Sequence, residues 1–134
     1  MSDQPLKRIL LVEDDPDVQV VAEFALSSVG GFSVEVCGSA REALDRVEGF
    51  APDLILLDVM MAGMDGPSTL GALRQLPATA DTPVVFMTAK VQAHETARYR
   101  ELGSLGVIPK PFDPTTLADT LRGIWSRRPR SSGT

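Results

Sequence analysis

The sequence predicts a doubly wound, three-layer α/β domain on a parallel five-stranded sheet, and three observations carry that prediction. Apolar runs at residues 9–12, 54–57 and 84–87 are continuous rather than alternating, as strands covered by helices on both faces must be. Weaker strand candidates at 32–37 and 106–108 bring the number to five. Helical segments with start and stop signals fall between them, and strict alternation implies parallel strands joined by right-handed crossovers.

Each helix has its own local reason. After the first strand, Asp15 offers an N-cap and Pro16 occupies the first helical position, where a missing N–H costs nothing; Gly30-Gly31 ends that helix. After the second, Ser39 with Glu42 three residues on forms a capping-box pattern ahead of Ala43, Leu44 and Val47. A third helix is expected over 66–76 and a fourth over 91–102, stopped by Gly103. Asp113-Pro114 repeats the cap-then-proline signal for a last helix carrying Leu117, Leu121, Ile124 and Trp125 at helical spacing. Residues 126–134 read as a frayed tail or linker stub, so the domain is expected over 1–125.

Size and composition agree with this. One domain fits 134 residues, and 43% hydrophobic with 23% charged residues is the balance of a globular chain with a core. The net charge of -5 argues against broad affinity for nucleic acid or anionic membrane, so neither is expected as a direct partner. Cys37 has no cysteine partner and reads as a small buried hydrophobe. No apolar run approaches the roughly 20 residues that span a bilayer, and the chain is expected to be soluble and cytoplasmic.

Sheets of this kind carry their site at the carboxyl ends of the strands. There the sequence puts Glu13, Asp14 and Asp15 after the first strand, Asp58 after the third, Thr88 after the fourth and Lys110 after the fifth. Crowded carboxylates repel one another unless a cation joins them, and Mg²⁺ suits a few carboxylates plus waters and phosphate oxygens. Asp14 and Asp58 are expected as direct ligands, Glu13 through water, with the backbone carbonyl of Met60 in another position. Asp15 is assigned to capping. A metal-bound carboxylate facing an ammonium and a hydroxyl is what phosphoryl transfer to Asp58 requires, with Lys110 and Thr88 on the equatorial oxygens.

These residues resemble bacterial response-regulator receiver domains over about residues 7–125. The matching features are Leu11-Val12-Glu13-Asp14-Asp15-Pro16, Leu56-Leu57-Asp58 with Met64-Asp65-Gly66, Met87-Thr88-Ala89, and Lys110-Pro111-Phe112. The resemblance implies a flavodoxin-like fold of strand order 2-1-3-4-5 and a cis Lys110-Pro111 bond. It also implies transfer of phosphate to Asp58 from a sensor histidine kinase or histidine phosphotransfer protein. Thr88 would then move toward the phosphate and reshape a target-binding face made by the fourth helix, fifth strand and fifth helix. In that strand order the fifth strand lies at the edge of the sheet, where the missing donor of Pro109 is tolerated.

Three departures from the family pattern stand out. Val107 replaces the usual switch aromatic with a small, stiff side chain, so switching is expected to rest on Thr88 and its loop. Ala62 replaces a common proline, loosening its loop. Met60 and Lys90 occupy positions that tune phosphate lifetime, and Met60, unable to orient a water, predicts slow self-dephosphorylation.

Other functions fit less well. A haloacid-dehalogenase-type phosphatase needs a second Asp where Met60 stands, so the chain is not expected to be an enzyme beyond its own phosphorylation and dephosphorylation. A flavin or nucleotide carrier needs Gly- or Ser/Thr-rich amides where the acidic run would repel its phosphate. The chain is either a free-standing receiver, a relay intermediate, or the receiver portion of a longer regulator. His94 is expected to be exposed, Met60, Met61 and Met64 to pack, Trp125 to join the core, and Arg127, Arg128 and Arg130 to form a solvated basic end.

Overall fold

The computed structural model describes residues 4–89 and 92–128. It has β1 (Arg8–Val12), α1 (Pro16–Glu23) running into a π-helical stretch (Phe24–Val29), β2 (Ser33–Cys37), α2 (Ala40–Phe50) and β3 (Leu54–Asp58). There follow α3 (Gly66–Gln75), a 3-10 turn (Pro77–Thr79), β4 (Val84–Thr88), α4 (Ala93–Glu101), β5 (Gly106–Pro109) and α5 (Leu117–Ser126). The five strands are all parallel in the order β2-β1-β3-β4-β5, as the resemblance implied. Pro109 lies on edge strand β5, opposite Thr88 in register.

Alternation along each strand splits the core into two layers. Ile9, Leu11, Leu54, Leu56, Val85 and Met87 pack beneath α1, the π-helical stretch and α5. Leu10, Val12, Ile55, Leu57, Val84 and Phe86 pack beneath α2, α3 and α4. All five residues of β3 and of β4 are buried, and each fully buried Leu or Ile contributes roughly 1.5–3 kcal/mol. This is why continuous apolarity marks those strands.

The helix starts show how far local signals reach. Asp15 caps α1 by accepting from the Asp17 amide at 2.9 Å, with Pro16 at the first helical position. Ser39 caps α2 by accepting from the Glu42 amide at 3.1 Å, but Glu42 returns to the Gly38 amide at 2.6 Å rather than to that of Ser39. The last helix departs from expectation. The Asp113 carboxylate accepts from both the amide and the hydroxyl of Thr115, forming a turn, and α5 begins only at Leu117. Gly31 and Gly103, at φ +80 and +108, stand where α1's extension and α4 must stop.

The expectations for single side chains have definite outcomes. His94 is exposed and Cys37 is buried. Met61 packs against the α2–α3–α4 layer, whereas Met60 and Met64 are 67% and 40% exposed, so the packing expected of those two is not found. Trp125 packs on the other layer and donates its indole N–H to the Gln4 carbonyl at 2.8 Å. Of the basic end, Arg127 is exposed as expected, whereas Arg128 is half-buried, its guanidinium 3.7 Å from the Trp125 ring centroid. The fourth helix is described from Ala93; Val91, where it was expected to begin, and Lys90 and Arg130 lie outside the described residues. Among the described residues, no helix is long and apolar enough to cross a membrane.

Candidate functional site

The carboxyl ends of β1, β3 and β5 bring four charged side chains together. Glu13 and Asp58 are buried, at 0% and 2% exposure, while Asp14 faces solvent. Carboxylate oxygens of the three acids all lie within 4.8 Å of one another. Lys110 reaches between two of them, its Nζ 3.1 Å from Glu13 Oε1 and 3.3 Å from Asp58 Oδ1. The Lys110-Pro111 bond is cis, as the resemblance implied.

Among the described residues one ammonium serves the two buried acids, one positive charge against two negative ones. Burial pushes the Glu13 carboxyl above its ordinary value, and the Asp58 charge adds to that; the Asp15 amide and Lys110 oppose it. For Lys110, burial works against the charged form, but the hydrogen bond to Glu13 and the charge of Asp58 outweigh it and raise its value. Three hard carboxylate oxygens, two of them buried and one open to solvent, form a donor set that fits a divalent cation such as Mg²⁺.

The loops are tied to the same acids. Asp14 Oδ2 accepts from the Ala62 amide at 3.0 Å, so the β3–α3 loop closes onto the β1–α1 loop despite lacking a proline at 62. The Met60 amide points at Asp58 Oδ1, 3.4 Å away. Asp15, besides capping α1, donates its amide to Glu13 Oε2 at 3.0 Å. Thr88 is buried at the end of β4, one residue beyond Met87, the register partner of Asp58, and its carbonyl accepts from the Lys110 amide at 3.0 Å. Val107 is half-buried opposite Phe86 and packs on the α2–α3–α4 layer.

Three supporting residues were not legible by role. Asp65 caps α3 by accepting from the Ser68 amide at 2.8 Å, and that bond holds its carboxyl below the usual range. Gly66 admits a close approach: a Cβ there would stand 2.8 Å from both the Asp58 carbonyl and the Val59 Cα. The Met64-Asp65-Gly66 motif marks both positions but not this contact. Gln19 donates its side-chain amide to the Glu13 carbonyl at 2.6 Å, a contact that only the helix start at Pro16 could have suggested.

Comparison with known proteins agrees with this architecture. The family described as the response regulator receiver domain matches residues 9–122. Response regulator Rre1 of Synechocystis sp. is 33% identical over 124 residues, covering 92% of this chain and 54% of its own length. DNA-binding response regulator MtrA of Mycolicibacterium smegmatis is 35% identical over 116 residues, covering 87% and 49% respectively. The chain thus spans about half the length of the curated relatives it matches. The crystal structure of chemotaxis response regulator CheY4 of Vibrio cholerae superposes with a TM-score of 0.81 at 28% identity, covering 89% of this chain and 98% of that one. With the strand order, the acidic strand ends and these matches in agreement, the chain belongs to the response regulator receiver domains of two-component signalling.

Proposed function

We propose that this chain is a phosphoacceptor switch in which Asp58 takes a phosphoryl group from a phosphohistidine. The observation that carries this reading is Lys110 held between Glu13 and Asp58, with Asp14 beside them. Glu13, Asp14, Asp58 and the Met60 carbonyl would hold Mg²⁺. When bound, that ion supplies positive charge to the phosphoryl oxygens. The Asp58 carboxylate attacks phosphorus in line, the O–P bond forms as the N–P bond breaks, and the donor imidazole leaves. Lys110 and Thr88 stabilise the equatorial oxygens as that charge moves.

The donor is a sensor histidine kinase or a histidine phosphotransfer protein. The product switches a protein-binding face made by α4, β5 and α5, through Thr88 and with Val107 as a passive neighbour. The receiver domain is assigned to 1–125 and a tail or linker stub to 126–134, in a cytoplasmic setting; the family match over 9–122 supports the first of these. The net charge of -5 argues against direct nucleic-acid contact by this chain, although relatives named DNA-binding regulators lend that point no support. A second reading, the receiver portion of a longer regulator with an output domain, is favoured by the length of those relatives.

Intact-mass measurement after incubation with acetyl phosphate and Mg²⁺ tests the central claim. A phosphate adduct is expected on the wild type and not on Asp58→Asn. A protein that binds Mg²⁺ yet gains no Asp58-dependent adduct overturns it.

A further inference from the structure

Glu13 is restrained at every polar group it has. Its amide donates to the Cys37 carbonyl at the end of β2 at 3.0 Å, and its two carboxylate oxygens accept from Asp15 and Lys110. Its carbonyl accepts from Gln19 Nε2 at 2.6 Å. Gln19 is half-buried on α1, six residues from the group it holds and outside the acidic cluster. Gly38 borders it: a Cβ at that position would stand 3.4 Å from Gln19 Nε2 and 3.6 Å from Glu42 Oε1, in ordinary van der Waals contact.

We propose that Gln19 is a positioning residue for the divalent-cation site. The carbonyl it holds belongs to the peptide joining Glu13 to Asp14. Holding that carbonyl limits ψ of Glu13 and φ of Asp14, and with them the course of the backbone from β1 into α1 that carries both carboxylates. Fixing the peptide before the cation arrives removes an ordering cost that binding would otherwise carry. Groups that orient ligands in this way typically alter metal affinity by 10–100-fold when removed. The inference rests on the phosphoacceptor reading given above.

Two variants test it. Gln19→Met keeps the length and loses the donor; Gln19→Glu keeps the shape, turns the donor into an acceptor facing a carbonyl, and adds a negative charge. Mg²⁺ titration by calorimetry is expected to give roughly tenfold weaker binding for Gln19→Met and weaker binding still for Gln19→Glu. Acetyl phosphate labelling of Gln19→Met should return to the wild-type rate at saturating Mg²⁺. In ¹H–¹⁵N spectra without metal, the Glu13 and Asp14 amides should shift while those of β4 and β5 stay in place.

Unchanged affinity in Gln19→Met overturns the inference. So does tighter binding by Gln19→Glu, which would show that net charge governs the site. A labelling deficit that saturating Mg²⁺ does not restore, with shifts spread across the sheet, also overturns it by showing a general structural role. If the wild type neither binds Mg²⁺ nor gains phosphate on Asp58, the functional reading fails and this inference falls with it. A wild type that does both while Gln19→Met matches it defeats the inference alone.

Discussion

The Tyr99 ring lies against Phe86 with centroids 5.1 Å apart and planes tilted by 60°, joining α4 to β4 two residues before Thr88. Val107 is the register partner of Phe86 on β5, so the aromatic bulk missing from that strand stands on α4 instead. Aromatic pairs add about 0.5–1.5 kcal/mol beyond their burial. Tyr99→Ala is therefore expected to cost about 3 kcal/mol in urea unfolding, and Tyr99→Phe less than about 0.5.

Switching is expected to leave Val107 in place. Phe112 packs on the layer across the sheet from Val107, while Tyr99 shares the layer of Val107 but rests on Phe86. Structures with and without a phosphoryl mimic should show Thr88 and its loop displaced, with the Tyr99 ring still on Phe86. A Tyr99 or Phe112 ring swung into the space beside Val107 would refute this.

Asp58→Asn should stabilise the metal-free protein by about 1 kcal/mol at pH 7, because functional sites store strain of this size. The sign follows from Glu13. Its carboxyl is raised in the folded chain, partly by Asp58, so above pH 4.5 the folded state holds a proton that the unfolded state has released. Stability then falls as pH rises through the folded value. Relieving the repulsion removes part of that loss, so the advantage of Asp58→Asn should shrink as pH drops toward 4.5. Urea unfolding in EDTA across this range checks both points.

Gly66→Ala is expected to cost about 2 kcal/mol by overpacking, since the added methyl meets backbone atoms of Asp58 and Val59 that cannot rotate away. Thermal unfolding reads the loss. The same variant should slow acetyl phosphate labelling, because the displaced atoms belong to the phosphoacceptor strand.

Self-dephosphorylation should take minutes or longer. The Met60 side chain projects into solvent and offers an attacking water no hydrogen bond. A phosphate lifetime of only seconds, followed by mass spectrometry after removal of donor, would contradict this. Met60→Asn should shorten the lifetime.

The sheet and most of the site could be read from residue order because the relevant signals are local. Leu54 to Leu57 announce a doubly covered strand by their composition, and Asp58 follows directly. Lys110 and Glu13 are 97 residues apart, yet each directly follows a recognisable strand. What stayed hidden lay in choices among competing local contacts. The Asp113-Pro114 pair looks like a helix start, but Thr115 claims the Asp113 carboxylate and delays α5 to Leu117. The π-helical stretch Phe24–Val29 ends with the Gly30 amide bonded to the Ala25 carbonyl, a backbone choice with no side-chain signature. Arg128 lies in a basic run, which conceals that its guanidinium turns back over Trp125, three residues earlier.

β3 is bonded to a strand on each side and buries every side chain it carries. Its register can change only in whole residues, steps of about 3.3 Å, each of which exchanges the two faces of the sheet. The position of Asp58 is therefore digital: it has one address and no neighbouring ones to drift into. Any graded adjustment during signalling has to come from the groups that surround this carboxylate, while the carboxylate itself serves as the fixed coordinate against which they are read.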